Sequence, residues 1–257
     1  MKKLLLIILL IVGCDYAPTE HTHEEDCAGV VGGTAVEDID GNCYATVQIG
    51  EQLWMAENLK TTHYNNGDEI PTGHTDEEWA ELVIGAYSVY PADSSTTCGE
   101  NCADIYGNLY NGLTVHDSRG VCMYGWHVST DDEWKILTDF IAPEGIVSLD
   151  FNSVAGGKMK STGTIEGGDG LWYAPNEGAT NLSGFTALPA GSLYNYYSQQ
   201  PNFSYEGIGT FSAFWSSPGG EWIHPYHQLN YDNSEVKYWM ALISYMNIFH
   251  SIRCIKD

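Results

Sequence analysis

CMYGWHVSTDDEWKILTDFI, residues Cys122–Ile141, holds a cysteine, a glycine turn, a short apolar stretch and then a strongly signalled helix. Thr130 is a good N-cap, and Glu133 stands three residues on, the spacing of a capping box. Asp131 and Asp132 put negative charge in the first turn, where the helix dipole favours it. Trp134, Leu137, Phe140 and Ile141 recur at helical spacing and predict one apolar face. Cys122 stands just before this helix, and the last cysteine, Cys254, lies three residues from the end of the sequence. A bond between them would staple the C-terminal strand to the entrance of the helix.

Six cysteines besides Cys14 invite the same question: Cys27, Cys43, Cys98, Cys102, Cys122 and Cys254. An even number in an exported chain argues for disulfides, although spacing alone leaves fifteen pairings open. The favoured set is Cys122–Cys254, Cys98–Cys102 and Cys27–Cys43. Metal binding by the Cys98/Cys102 pair is the competing use, and the sequence has no second Cys or His pair beside it at finger spacing.

Export is read from the first residues. Lys2 and Lys3 precede an unbroken apolar run of nine residues, Leu4–Val12. A bilayer-spanning helix needs ~20 such residues, so the run suits a signal peptide. Ile11-Val12-Gly13-Cys14 resembles a bacterial lipobox, which implies cleavage before Cys14 and lipidation of that cysteine. Residues 1–13 are then the signal peptide. Residues 14–35, acidic and without Lys or Arg, are a tether. Residues 36–257 form the domain. The predicted location is the bacterial envelope, lipid-anchored, at the outer membrane or cell surface.

Ten Lys and Arg against 34 Asp and Glu give a formal charge of −24. Nucleic acid needs a basic footprint and is excluded as a partner. Anionic lipid surfaces are disfavoured on the same ground, which leaves the lipid itself as the membrane contact.

Along the domain, Asp40-Gly41 is a hairpin turn feeding strands at Tyr44–Ile49 and Gln52–Ala56. Thr75 and Glu78 repeat the capping-box pattern before a short acidic helix. Tyr90–Ile105 reads as a surface loop, Ile105–His116 as a further helix of unsettled period, and Pro143–Gly184 as a long irregular stretch. From Phe185 on, strands are expected at Phe185–Ala187, Ala190–Leu193, Thr210–Ser217, Glu221–Leu229, Val236–Leu242 and Ser251–Lys256. His224 and His227 lie three apart on a strand, which puts them on opposite faces and reads as two solvent-facing histidines.

Several segments together resemble the Fibrobacter succinogenes major paralogous domain, a family of bacterial exported proteins and lipoproteins. They are DIDGNCYATVQIGEQLWMAENLKTTHYNNGDEIP over residues 38–71, YGNLYN over 106–111, GWHVSTDDEW over 125–134 and AGGKMKSTGT over 155–164. GATNLSGFTALPAG over 178–191, FWSS over 214–217 and the terminal SIRCIKD complete the set. The resemblance covers residues 36–257. It implies a divergent C-type lectin-like fold of the α+β class: two or three helices, a small twisted antiparallel sheet and a long ligand loop. It also implies a bond between Cys122 and Cys254.

Calcium-dependent lectins of that fold use Glu-Pro-Asn and Trp-Asn-Asp segments. Here Ala174-Pro175-Asn176 and Trp215-Ser216-Ser217 stand in their place, so oxygen ligands are missing from both. Asn176, Glu177 and Asn181 are the remaining metal candidates, with loop-pinning hydrogen bonds as their alternative role. No other cofactor is implied.

Neither a HExxH zinc motif, a GxSxG elbow nor a phosphate-binding glycine loop occurs, and the chain reads as a binder, not an enzyme. Trp172, Tyr173, Asn176, Asn181, Tyr196, Tyr197 and Trp222 are the candidate ligand contacts. Aromatic faces there would stack on sugar rings, and the amides would meet hydroxyls. The expected function is surface adhesion or carbohydrate binding, with protein binding or a purely structural surface role as the alternative. An enzyme related to the sulfatase modifiers of that fold stands behind both.

Overall fold

The structure, a computed structural model, describes residues 24–91, 98–99, 101–143, 153–195, 201–217, 223–242 and 248–257. The expected signal peptide, Cys14 and tether residues 14–23 lie outside the described residues, as do Tyr196, Tyr197 and Trp222.

The N-terminal part is built from hairpins. Strands β1 (Val36–Glu37) and β2 (Cys43–Tyr44) pair around Asp40-Gly41. Asp38 holds that turn, accepting the Asp40 and Asn42 amides at 2.9 Å and the Tyr44 hydroxyl at 2.6 Å. β3 (Thr46–Ile49) and β4 (Gln52–Met55) follow as the expected second hairpin. They join a four-stranded sheet ordered β3, β4, β14 (Cys254–Lys256), β7 (Trp126–Val128), so the chain's last strand lies between an early one and the approach to the central helix.

The larger sheet has eight strands. Its path runs β12 (Val236–Leu242), β11 (Ile223–Asn230), β10 (Phe211–Trp215), β8 (Ala190–Asn195), β13 (Ile248–His250), β6 (Leu109–Asn111), β5 (Tyr87–Ser88), with β9 (Phe203–Ile208) also on β8. Sequence reading placed β8, β10, β11, β12 and β14 closely. It missed β9, whose polar FSYEGI carries a glycine, and β13. Phe185–Ala187 is no strand; only Ala187 makes an isolated bridge, to Lys160.

Fourteen strands and five helices are present among the described residues, and four of the helices are only four or five residues long. The α+β lectin-like expectation is therefore corrected: the fold is sheet-rich, with several sheets. The physical cause lies in two places. The C-terminal third, rich in Tyr, Phe and Trp, supplies every strand from β8 to β14. Ile105–His116, expected as one helix, breaks into α2 (Cys102–Tyr106), β6 and α3 (Gly112–His116), because Gly107 ends the first and Asn111 caps the second.

The central helix α4 (Asp131–Ile141) forms as read, with both halves of the Thr130/Glu133 capping box made. The same holds for Thr75/Glu78 at α1 (Asp76–Ala80). Trp134, Leu137 and Ile141 face the core, joined by Thr138, whereas Phe140 points outward and is 62 % exposed. Trp134 meets Trp54, Phe185 and Phe214 at ring separations of 5.5–5.7 Å, so helix, hairpin and large sheet share one aromatic centre.

Three disulfides close: Cys27–Cys43, Cys98–Cys102 and Cys122–Cys254, the set favoured from sequence. The segment read as a surface loop is in part interior. Tyr90, Cys98 and Cys102 are buried in an apolar cluster with Trp79 and Phe249.

Candidate functional site

In the described part of the long irregular stretch, Trp172, Asn176 and Asn181 are spent on its own architecture. Trp172 is fully buried and donates its indole N–H to the Ala187 carbonyl and Ser161 hydroxyl, both at 3.1 Å. It is a core residue, and the stacking role assigned to it is withdrawn. Burying a tryptophan is favourable once its N–H finds an acceptor, a condition that cannot be read from local sequence. Asn176 is buried too, its amide donating to the Ser161 and Gly163 carbonyls at 3.0 Å. Asn181 closes a local ring with Thr186, accepting its amide N–H at 2.9 Å and donating to its hydroxyl at 3.0 Å.

That leaves the buried Asn176 Oδ1, which has no hydrogen-bond partner, and the exposed Glu177 carboxylate. They are too few for a calcium ion, which takes six to eight oxygens. Among the described residues no group of three His, Cys, Asp or Glu is placed to hold a metal. Tyr173 keeps partial exposure at 38 %, beside Gly209.

A different part of the chain makes a cleft. After Leu59 the backbone turns back on itself at Asn66-Gly67: the Tyr64 amide donates to Asp68, Gly67 to Tyr64 and Ile70 to Thr62, at 2.8–2.9 Å. Gly67 has φ +87°, a conformation that costs glycine nothing. This narrow hairpin sets His63 opposite Glu69. It is fixed from several sides. Tyr110 donates its hydroxyl to the Thr61 carbonyl at 2.7 Å, Asn108 reaches the Lys60 carbonyl at 2.9 Å, and the Tyr87 amide donates to Pro71 at 2.9 Å. Arg119 lies 3.9 Å from the Tyr64 ring centre and bonds Asp68 at 3.0 Å.

Asp40 anchors the inner edge. Its Oδ2 accepts the Thr62 amide at 2.5 Å and the Thr61 and Thr62 hydroxyls at 3.0 Å, while Oδ1 meets His63 Nδ1 at 2.5 Å. Burial alone would raise the Asp40 carboxyl, but these hydrogen bonds outweigh it and hold the group below its ordinary value. An ionised Asp40 facing Nδ1 places the proton there, and in the neutral ring Nε2 is then an acceptor.

Between this hairpin and β5 opens a cavity of about 510 Å³, lined by Thr62, His63, Glu69, Ile70, Pro71, Thr72 and Tyr87. The size falls within the range of small-molecule sites. Burial raises the Tyr87 phenol above its ordinary value; a bond with the Thr72 hydroxyl opposes this, and the charges of Asp40 and Glu69 add to it. Sequence reading missed this cleft. The Asn66-Gly67 turn signals a hairpin, but a regular two-residue turn there would pair Tyr64 with Glu69; the irregular register that sets His63 against Glu69 shows only in the structure.

His224 and His227 do point opposite ways, but neither faces solvent. Both are buried, which corrects their reading. His227 stacks on Trp134 at 4.4 Å and contacts Asp131 at 3.4 Å, while His224 Nδ1 meets His116 Nε2 at 3.0 Å.

The family model of the Fibrobacter succinogenes major domain matches residues 47–256, from β3 through β14. The chain belongs to that family. In this member of the Fibrobacter succinogenes major domain family, Thr62–Thr72 and Tyr87 of the cleft fall inside the matched span, whereas Asp40 lies before it. No curated protein and no solved structure matches the chain.

Proposed function

We propose that this chain is an exported, lipid-anchored envelope protein whose domain binds carbohydrate without catalysing a reaction, at the cleft beside Tyr87. One observation carries the reading: a tyrosine ring, a fixed imidazole, a carboxylate and threonine hydroxyls line a single open cavity of about 510 Å³. Sugar rings are recognised by that combination, apolar ring area against the aromatic face and directed hydrogen bonds to the hydroxyls. Rigid support from Asp40, Tyr110 and Arg119 favours binding, because little ordering cost remains to be met. Calcium has no part in this site.

The anchor rests on the Leu4–Val12 run and Cys14, and three disulfides fit an oxidising compartment. Palmitate labelling that is lost in Cys14→Ala tests it, and surface proteolysis of intact cells tests exposure at the outer face.

A glycan and polysaccharide array probed with the purified full-length chain tests the binding site. Retention on a glycan that chelator leaves unchanged and Tyr87→Ala weakens at least tenfold is the expected result. Silence across the array, or binding indifferent to Tyr87→Ala, overturns it. A protein ligand is the second reading. It is favoured by a groove of about 300 Å³ where Phe140 and Leu182 stand 62 % and 77 % exposed.

A further inference from the structure

We infer that the cleft selects ligands bearing a protonated amine, and that its sugars are unacetylated amino sugars. The inference rests on the carbohydrate reading of the same cleft. Its ground is a mismatch of donors and acceptors. His63 has its Nδ1 committed to Asp40, which leaves Nε2 as an acceptor in the neutral ring. Glu69 pairs with His63 across the narrow hairpin, and directly opposed residues of such a pair project from one face. An imidazole lone pair and a carboxylate thus stand side by side, and both need donors.

An ammonium offers three N–H donors and a positive charge, and charge-assisted bonds of this kind are about twice as strong as neutral ones. Tyr87 adds a π face, which attracts a cation within about 6 Å. The lining residues include no Lys or Arg. A uronate, sulfate or phosphate in this cleft would face Glu69 with no Lys or Arg beside it. The −24 charge of the chain extends the same preference to long range, drawing cations toward the surface and repelling polyanions.

Calorimetry of the purified full-length chain with three tetrasaccharides tests this: glucosamine, N-acetylglucosamine and galacturonic acid oligomers. The glucosamine oligomer is expected to bind at least tenfold tighter than its acetylated counterpart, with no detectable binding of the galacturonate. Glu69→Gln should cost the amine oligomer at least tenfold. Asp139→Asn, the same charge change on the outer face of α4, should leave it within twofold. Equal affinity for the amine and acetylated oligomers overturns amine selection while carbohydrate binding stands. Equal losses in Glu69→Gln and Asp139→Asn also overturn it, because attraction to the whole acidic surface would then explain the binding. Failure of all three sugars to bind, together with a silent array, removes the carbohydrate reading itself.

Discussion

Arg253 holds its guanidinium 4.7 Å from the centre of the Phe185 ring and donates an Nη1 hydrogen to the carbonyl oxygen of the same residue at 2.7 Å. The other donors go to the Met55 carbonyl at 2.9 Å, the Asn58 side-chain oxygen at 2.6 Å and the Thr186 carbonyl at 3.0 Å. Burial draws the guanidinium down to about 9, partly offset by Glu57, so it remains charged at neutral pH. One side chain thereby fastens the β3–β4 hairpin, the end of the irregular region and the final strand.

Arg253→Met is expected to destabilise the fold by ~3 kcal/mol or more, since it strands several buried acceptors at ~1–3 kcal/mol each. Arg253→Lys should recover only part, because an ammonium cannot reproduce the planar fork. Urea unfolding of the three proteins, followed by tryptophan fluorescence, reads the order native, Lys, Met.

Acid should unfold the protein through its histidines before its carboxylates. Burial pushes His250 down to about 3; burial, with His116 alongside, pushes His224 down to about 4; His116 and His227 are also lowered by burial. A depressed folded value means the unfolded chain takes up protons first. For His250 and His224 this stability is complete above pH 6.5 and falls as pH drops through 6.5 toward 3–4, by about 1.4 kcal/mol per unit for each of the two. Urea midpoints between pH 7.5 and 4.5 should fall steeply, and His250→Phe should flatten the slope. An unchanged slope in that variant would remove His250 from the account.

His127 works in the other direction. Burial opposes its protonation, but Asp257 at 2.7 Å and Glu133 at 2.9 Å raise it above its ordinary value. Its contribution is complete below pH 6.5 and is lost as pH rises through the raised folded value. NMR titration of the imidazole should show the raised value in the native chain and a return toward the ordinary one in Asp257→Asn.

Gly191 lies inside β8 at φ +59°, and a Cβ there would come within 2.1 Å of the Glu206 carbonyl on β9. Backbone cannot retreat without breaking the pair, so Gly191→Ala should lower the melting temperature by several degrees. An unaltered melting curve would mean that β9 can move away from β8 without loss of stability.

What could be read from sequence was local. Thr130 and Glu133 announce α4 because both halves of the motif lie within one turn, and the hairpin of β3 and β4 shows in two short strand-forming runs on either side of Gly50-Glu51. Spacing leaves fifteen disulfide pairings open, and the favoured set is decided by the fold that brings each pair together. Trp172 misled because its burial depends on the Ala187 carbonyl, fifteen residues away and on no regular element. His63 escaped notice because its character comes from Asp40, twenty-three residues earlier. The lectin-like fold failed for a related reason: partners in the eight-stranded sheet are chosen across long stretches, and nothing within a single strand names its neighbour.

Ile255 pairs with Trp54, and Cys254 bonds Cys122 across a separation of 132 residues. The β3–β4 hairpin therefore has an open edge until a strand about 200 residues downstream arrives. Contacts of such long range make folding slow, and an unpaired strand edge invites association with other chains in the meantime. A chain built this way depends on protection while it waits, and its yield should be set by how fast residues 252–256 are delivered to the sheet, not by how quickly the central helix forms.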